Sequence, residues 1–166
     1  MERPPARVSL PRGEISLAAG PIVMGVLNVT PDSFSDGGAF LDPGAAHERA
    51  LAMIEEGARV IDVGGESTRP GAAETSVETE LERVTPLLRR LGGAIPVPLS
   101  IDTRRGAGAR AALDAGAAIV NDVSGLRHDP AMIETVRESG AAVVVMHMQG
   151  TPETMQANPS YGDVTG

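Results

Sequence analysis

Residues 25–38 read GVLNVTPDSFSDGG, an apolar segment that turns polar at Asn28 and meets a proline at Pro31. The apolar half is rich in valine and leucine, which predicts a buried β-strand. Pro31 ends regular structure because it has no backbone N–H and restricts the residue before it. The polar half carries two carboxylates, two hydroxyls and one phenyl ring. A polar loop that follows a buried strand is a common place for binding and catalytic residues.

The same change from apolar to polar recurs along the chain. A β-hairpin is predicted over residues 7–17, and apolar strands with amphipathic helices between them are predicted near residues 22–27, 60–64, 97–101, 118–120 and 142–146. Each of these strands ends in a polar residue, namely Asn28, Asp62, Asp102, Asn121 and His147. Apolar strands that alternate with helices predict a parallel sheet covered by helices.

Two arrangements of such a sheet are open, a doubly wound sheet and a (β/α)8 barrel. In a barrel all strand ends meet at one face, where active sites lie. In a doubly wound sheet only the strands beside the switch point need polar ends. All five ends are polar, which favours the barrel. Because a barrel takes about 250 residues, we predict an α/β fold that is a partial (β/α)8 TIM barrel with about five of eight βα units.

The predicted barrel begins after the hairpin. We therefore divide the chain into an N-terminal β-hairpin segment, residues 1–20, and a partial barrel domain, residues 21–166, that stops after its fifth strand.

Composition excludes several classes of function. The net charge is -8, which argues against nucleic acid or a membrane surface as the main partner. All 14 basic residues are arginines, so neither a Schiff-base lysine nor a P-loop lysine is present in this stretch. There is no cysteine for thiolate or disulfide chemistry. The sequence has no signal peptide and no membrane-length apolar run, so we expect a cytoplasmic protein.

Residues 106–111, GAGARA, match the G-x-G-x-x-A pattern of dinucleotide-binding turns. Three residues separate the first glycine from the end of the preceding strand, whereas the dinucleotide turn begins at the strand end. We interpret the match as a product of chance in a sequence rich in alanine and glycine.

Two longer motifs carry a family resemblance. NVTPDSFSDGG at 28–38 and DVGGESTRPG at 62–71 together resemble the paired signatures of the dihydropteroate synthase family. SIDT at 100–103, NDVSG at 121–125 and MHMQG at 146–150 resemble its next three strand ends, in the same order. The resemblance covers nearly all of residues 7–164. It implies a pterin-binding barrel of folate biosynthesis that condenses (7,8-dihydropterin-6-yl)methyl diphosphate with 4-aminobenzoate, giving 7,8-dihydropteroate and diphosphate.

The resemblance assigns the pterin to three strand ends. A pterin edge offers amide and amino donors beside ring-nitrogen acceptors, which suits buried aspartate and asparagine. It implies that Asp102, Asn121 and Asp62 bind the pterin and that Asp62 and Asp102 are catalytic. Asp62 would stabilise the positive charge that develops on the methylene as its bond breaks.

The resemblance assigns the other substrates and the metal to the polar loops. The resemblance implies that the diphosphate is bound by Asn28, Thr68 and Arg69. Asn28 would also give an oxygen to Mg²⁺, a hard ion that keeps most of its waters. The 4-aminobenzoate slot would be lined by Phe34 and Pro70. Loop closure, which excludes water from the electrophilic methylene, would involve Asp36 and Ser67.

The same residues also suit simpler roles. Asp102 and Asn121, at strand ends, would also suit caps of the following helices. Asp122 is interpreted as structural and His147 as a hydrogen-bonded pocket or core residue. The remaining candidates with simple roles are a loop anchor and two solvated arginines, namely Glu66, Arg104 and Arg105.

The chain departs from the family pattern beyond Gly166, where the family carries a second Asp, a Lys and an Arg-x-His pair. We therefore expect a partial sequence of a longer enzyme that would be inactive and poorly stable by itself, with two open sheet edges. The family is generally homodimeric. Two alternatives stay open: a methyltetrahydrofolate-type pterin-binding methyltransferase domain, and a non-catalytic truncated pterin-binding relative.

Overall fold

The computed structural model describes residues 7–29, 43–66, 75–151 and 154–163. Its strands are β1 (Arg7–Ser9), β2 (Glu14–Ser16), β3 (Val23–Asn28), β4 (Ala58–Gly64), β5 (Leu99–Asp102), β6 (Ile119–Asp122) and β7 (Ala142–Val145). Its helices are α1 (Pro43–Glu55), α2 (Val77–Leu91), α3 (Gly106–Asp114) and α4 (Ala131–Ser139). No helix in these ranges has the length and apolarity needed to cross a membrane.

The strands form two sheets. β1 and β2 make an antiparallel hairpin, as predicted, and the other five strands form one parallel sheet in the order β3-β4-β5-β6-β7. Each strand therefore lies beside its predecessor in sequence, with no reversal of direction along the sheet. A doubly wound sheet requires such a reversal, so the order confirms the predicted barrel-type arrangement. The division of the chain into residues 1–20 and 21–166 stays a prediction.

One face of the sheet packs against the helices. Leu27, Val63, Ile101 and Val120 are paired in register across four strands, and all four belong to the apolar core. The helices add small residues and leucines to the same core, among them Ala50, Val84, Leu88, Ala109 and Ala112. Burial of a Leu or Val side chain contributes roughly 1.5–3 kcal/mol, so this layer holds the strands in register.

Side chains alternate between the two faces of a strand. Since Leu27, Val63, Ile101 and Val120 face the helices, their neighbours face the opposite side. Two rows result on that face. The upper row, at the carboxyl ends of the strands, is Asn28, Gly64, Asp102, Asn121 and Val144. The lower row is Val26, Asp62, Ser100, Ile119 and Ala142.

Two helix starts show how the sequence sets the boundaries. Ser76 caps α2, since its Oγ accepts a hydrogen bond from Thr79 N at 3.2 Å. α3 begins at Gly106, and Gly106 N donates to Asp129 Oδ2 at 2.7 Å. Asp129 Oδ1 also accepts from Ala131 N at 2.9 Å. One carboxylate therefore caps two adjacent helices, α3 and α4.

Candidate active site

The upper row contains an open gap between two polar side chains. A Cβ added at Gly64 would lie 2.9 Å from Asn28 Oδ1, 3.6 Å from Asp102 Cβ and 3.8 Å from Asp102 Oδ2. Any side chain at this position would therefore enter the space between Asn28 and Asp102. Glycine keeps both oxygens open to a common site at the strand ends.

Asp102 is the ionisable group at the centre of this row. Burial, together with the negative charge of Asp62, Glu80, Glu66 and Asp122, raises the pKa of Asp102 to about 7. No described residue donates a hydrogen bond to its carboxylate. A partly buried carboxylate whose pKa lies near neutrality is a typical functional group.

Asp62 lies in the lower row and is 2% exposed. Its Oδ2 accepts a hydrogen bond from Asn121 Nδ2 at 2.9 Å. Burial raises the pKa of Asp62, and the neighbouring Ser100 and Asn121 side chains lower it in part. Among the described residues, neither Asp62 Oδ1 nor Ser100 Oγ has a hydrogen-bond partner of good geometry.

The capping role weighed for Asp102 and Asn121 is wrong. The start of α3 is capped by Asp129, and the same carboxylate binds the first N–H of α4. The Asn121 amide donates to Asp62 instead. Both side chains are therefore left for the site at the strand ends.

A buried ion network supports the loop after β4. Arg105 contacts Glu66 through Nη1–Oε2 and Nη2–Oε1, both 3.1 Å, and Glu80 through Nη1–Oε2 at 3.0 Å. Arg105 Nη2 also donates to the carbonyl of Thr75 at 2.6 Å, and Arg104 reaches Glu66 at 3.2 Å. The network joins residues on either side of segment 67–74 to α2 and to the loop after β5.

The network corrects one expectation and supports another. Solvated arginines were expected, but Arg105 is 7% exposed because two buried carboxylates surround it. Glu66 anchors its loop, as expected. Burial by itself would raise the pKa of Glu66, but the Thr75 N–H and the guanidinium groups of Arg105 and Arg104 hold that pKa below its usual range.

One feature of the sequence indicates this buried ion network. Glu80 is fully buried on the same side of α2 as Val84 and Leu88. A carboxylate on the apolar stripe of an amphipathic helix needs a buried partner, which points to a buried arginine.

The GAGARA segment has a packing role. A Cβ at Gly106 would lie 2.9 Å from the carbonyl carbon of Ala131, and one at Gly108 would lie 2.9 Å from Thr103 Oγ1. Both glycines therefore permit close packing at the start of α3. The first helical N–H is bound by the Asp129 carboxylate, which would repel a phosphate. These contacts agree with the interpretation of the match as a product of chance.

Two further residues were given simple roles. Asp122 is structural, as predicted, since it is fully buried and accepts from Ser124 N at 2.7 Å and Leu126 N at 2.9 Å. For His147 the core position is wrong, whereas the pocket position stays a prediction. Its side chain is exposed and contacts the Tyr161 ring at a centroid distance of 5.4 Å, because the end of β7 has a described neighbour on one side only.

The fit of Mg²⁺ depends on Asn28. The described residues contain no group of three His, Asp or Glu side chains that could hold a metal. Mg²⁺ does not require one, because it keeps several waters and takes one or two protein oxygens together with phosphate oxygens. Asn28 is exposed and directs its Oδ1 beside the Gly64 gap. Among the described residues, the Asn28 amide oxygen is therefore a suitable ligand for a Mg²⁺ ion that keeps most of its waters.

Six of the predicted site residues lie outside the described ranges. They are Phe34, Asp36, Ser67, Thr68, Arg69 and Pro70. The described ranges bring together the other four, Asn28, Asp62, Asp102 and Asn121, on one face of the sheet.

Comparison with known proteins agrees with this arrangement. Residues 24–166 match the family model for pterin binding enzymes. The chain belongs to the pterin-binding enzyme family.

Named relatives narrow the comparison to dihydropteroate synthases. That of Mycobacterium leprae is 54% identical over 143 residues, which cover 86% of this chain and 50% of the relative. The Burkholderia cenocepacia enzyme complexed with 7,8-dihydropteroate is 45% identical with a TM-score of 0.80, covering 96% of this chain and 53% of that chain. The Xanthomonas albilineans enzyme with 4-aminobenzoic acid is 45% identical with a TM-score of 0.83, covering 96% and 55%. The chain spans about half the length of the curated relatives it matches.

Proposed function

We propose that this chain supplies the pterin-binding side of a dihydropteroate synthase. The observation that carries the proposal is the upper row at the strand ends, in which Asn28 and Asp102 face the Gly64 gap and Asn121 lies beside Asp102. Relatives of known structure that bind 7,8-dihydropteroate and 4-aminobenzoic acid support this assignment.

In the proposed reaction the amine nitrogen of 4-aminobenzoate attacks the methylene carbon of (7,8-dihydropterin-6-yl)methyl diphosphate. The carbon–oxygen bond to the diphosphate breaks and its electron pair leaves with the diphosphate. The new ammonium then loses one proton, which gives 7,8-dihydropteroate. The protein's task is to hold the pterin, stabilise the charge that develops and exclude water.

Asp102 and Asn121 suit the pterin. The Asp102 carboxylate accepts N–H donors, and the Asn121 amide offers an acceptor and a donor side by side. The buried carboxylate of Asp62 lies behind Asn121. We assign Asp102 to catalysis, and Asp62 to stabilisation of the positive charge that develops at the methylene.

The diphosphate is assigned to Asn28, Thr68 and Arg69. Asn28 would hold Mg²⁺, which when bound neutralises the charge of the leaving diphosphate. We keep the assignment of the 4-aminobenzoate slot and of loop closure to Phe34, Pro70, Asp36 and Ser67. The whole protein is proposed to be a cytoplasmic homodimer that takes small-molecule substrates and neither nucleic acid nor membrane as partners.

The function is tested first by binding. We expect 6-hydroxymethylpterin to bind the chain in calorimetric titrations. Asp102→Asn should weaken that binding about tenfold or more, because a hydrogen bond to a charged group is lost. The matched control is Asp114→Asn, an exposed aspartate at the end of α3. Equal affinities of wild type and Asp102→Asn would contradict the proposal.

Activity is tested in a hybrid that joins the chain to the half of the Mycobacterium leprae relative it does not match. Diphosphate release should require 4-aminobenzoate, and release without it would exclude the synthase assignment. Transfer of a methyl group from methyltetrahydrofolate would favour the methyltransferase alternative. Pterin binding with neither activity would indicate a non-catalytic relative.

A further inference from the structure

The hydrogen bond between Asp62 and Asn121 crosses a strand. Asp62 lies on β4 and Asn121 on β6, with β5 between them. Neighbouring strands are about 4.8 Å apart, so the two backbones are separated by about 10 Å. Only side chains that lean toward each other span this distance, with Asn121 Nδ2 2.9 Å from Asp62 Oδ2. Ser100 on β5 pairs in register with Asp62 and is fully buried.

This contact fixes which way the Asn121 amide faces. A carboxylate accepts hydrogen bonds but cannot donate them, so the amide nitrogen must face Asp62. The amide oxygen and the second N–H of Asn121 are then directed elsewhere. Asn121 pairs in register with Asp102 in the upper row, so its oxygen adds an acceptor to the site that holds the Asp102 carboxylate.

We propose that Asp62 is a positioning residue that fixes the amide orientation of Asn121, and through it the preference of the site for a ligand edge that donates N–H groups. The proposal rests on the proposed pterin-binding function. The site should prefer 2-aminopteridines. It should reject their 2-oxo analogues, which have an acceptor where the pterin has an amine. The Asn121 amide oxygen, facing position 2 of the ligand, attracts the amine of the pterin and repels the carbonyl of the 2-oxo analogue.

The test compares two ligands, 6-hydroxymethylpterin and 6-hydroxymethyllumazine. They differ in the group at position 2 and therefore also at N1, which is an acceptor in the pterin and an N–H donor in the lumazine. Wild type should prefer the pterin. Asn at position 62 both donates and accepts, so Asp62→Asn permits either orientation of Asn121. We expect the pterin-to-lumazine affinity ratio to fall about tenfold in this variant. A purely structural role for Asp62 would weaken both ligands equally and leave the ratio unchanged, which would overturn the proposal.

A reciprocal swap separates positioning from direct contact. In Asp62→Asn/Asn121→Asp the new amide donates to the new carboxylate, whose second oxygen is an acceptor in any orientation. The swap should therefore recover most of the preference for the pterin, measured at pH 8 to keep the carboxylates charged. If Asp62 itself contacts the pterin, the swap recovers nothing. Circular dichroism melting against Asp114→Asn confirms that each variant is folded.

A spectroscopic measurement keeps the two proposals apart. In wild type one side-chain amide proton of Asn121, assigned by its absence in Asn121→Asp, should show a hydrogen-bonded chemical shift. In Asp62→Asn this shift should move toward the value of a free amide, because only one of the two orientations keeps the hydrogen bond. If Asp62→Asn changes this shift but wild type binds no pterin, the proposed function is contradicted. The proposal that Asp62 orients the Asn121 amide would then still stand. An unchanged shift in Asp62→Asn would overturn that proposal itself.

Discussion

At the scale of single residues, Asp102 links the site to the stability of the protein. Its native pKa of about 7 is above the ordinary aspartate pKa of 3.8. Between these values the native state binds more protons than the unfolded state, so stability falls as pH rises. Above pH 7 Asp102 is charged in the native state, and its full destabilising effect on that state is present.

We predict that Asp102→Asn removes this pH dependence. The variant should be more stable than wild type at pH 8, on the order of 1–2 kcal/mol, with a smaller difference at pH 5. Urea unfolding at both pH values measures it, with Asp114→Asn as the control. A parallel pH dependence in wild type and Asp102→Asn would refute the assignment.

The Gly64 gap gives a second prediction. In Gly64→Ala the new methyl group would crowd Asn28 Oδ1 at 2.9 Å and displace that side chain. We expect the change to weaken Mg²⁺-dependent binding of inorganic diphosphate about tenfold, while the free energy of unfolding changes by no more than about 1 kcal/mol, because Asn28 is exposed.

The matched control is Gly162→Ala, where a Cβ meets no atom within 4 Å. Diphosphate titrations with and without Mg²⁺ make the comparison. Wild-type diphosphate affinity in Gly64→Ala would remove Asn28 from the metal and diphosphate site.

Sequence reasoning found the strand-end residues because strand ends are local features. The polar ends at Asn28, Asp102 and Asn121 follow directly from where each apolar run stops. The hydrogen bond from Asn121 to Asp62 joins positions 59 residues apart. No local pattern predicts which way an amide turns when its partner lies two strands away.

At the scale of secondary-structure elements, the Arg105 network joins α2 to the loops after β4 and β5. Arg105→Met would leave Glu66 and Glu80 buried without their main cation. We predict a loss of about 3–5 kcal/mol in the free energy of unfolding, as is usual when one partner of a buried ion pair is removed. Chemical denaturation measures it.

The matched control for Arg105→Met is Arg12→Met, at an exposed position of the β1–β2 hairpin. It should change the free energy of unfolding by less than about 0.5 kcal/mol. Adding Glu66→Gln and Glu80→Gln to Arg105→Met should recover part of the loss, because the uncompensated charges are gone. If Arg105→Met is as stable as Arg12→Met, the network does not hold these elements together.

Asp129 gives the next prediction at this scale. The N–H groups of Ala131 and Gly106 lower the pKa of Asp129, so its contribution to stability is present at neutral pH and is lost in acid. Asp129→Ala should cost about 1–2 kcal/mol at pH 7, whereas Asp129→Asn keeps an acceptor and should cost less. Thermal melts against Asp114→Ala test this, and equal melting temperatures for all three variants would contradict it.

Element order and type were predictable because strand and helix periodicities are repeated in each βα unit. The start of α3 cannot be predicted from its own segment, because its cap is not local. Asp129 lies 23 residues beyond Gly106, and the glycines at the helix start disfavour a helix until α4 is packed against them.

At the scale of the whole molecule, the sheet has an exposed apolar edge among the described residues. β7 pairs only with β6 there, and Val144 and Val145 are 41% and 57% exposed. An apolar strand with a free edge associates with other chains. We predict that the chain self-associates at high concentration and that Val145→Glu reduces this association.

Sedimentation at increasing concentration measures the effect. The control is Ser9→Glu, which adds the same charge on the separate hairpin at an exposed position. Equal association of the two variants would show that the β7 edge is not the contact surface.

The sequential strand order also bears on how the chain folds while it is being synthesised. From β4 onward, every strand of the parallel sheet pairs with the strand made just before it. Chains emerge from the ribosome at roughly 5–20 residues per second, N-terminal parts first. After β4 appears, each new strand finds its partner already outside the ribosome, and the helix between them covers the face just formed. The sheet can therefore grow by one βα unit at a time, with each unit serving as the template for the next.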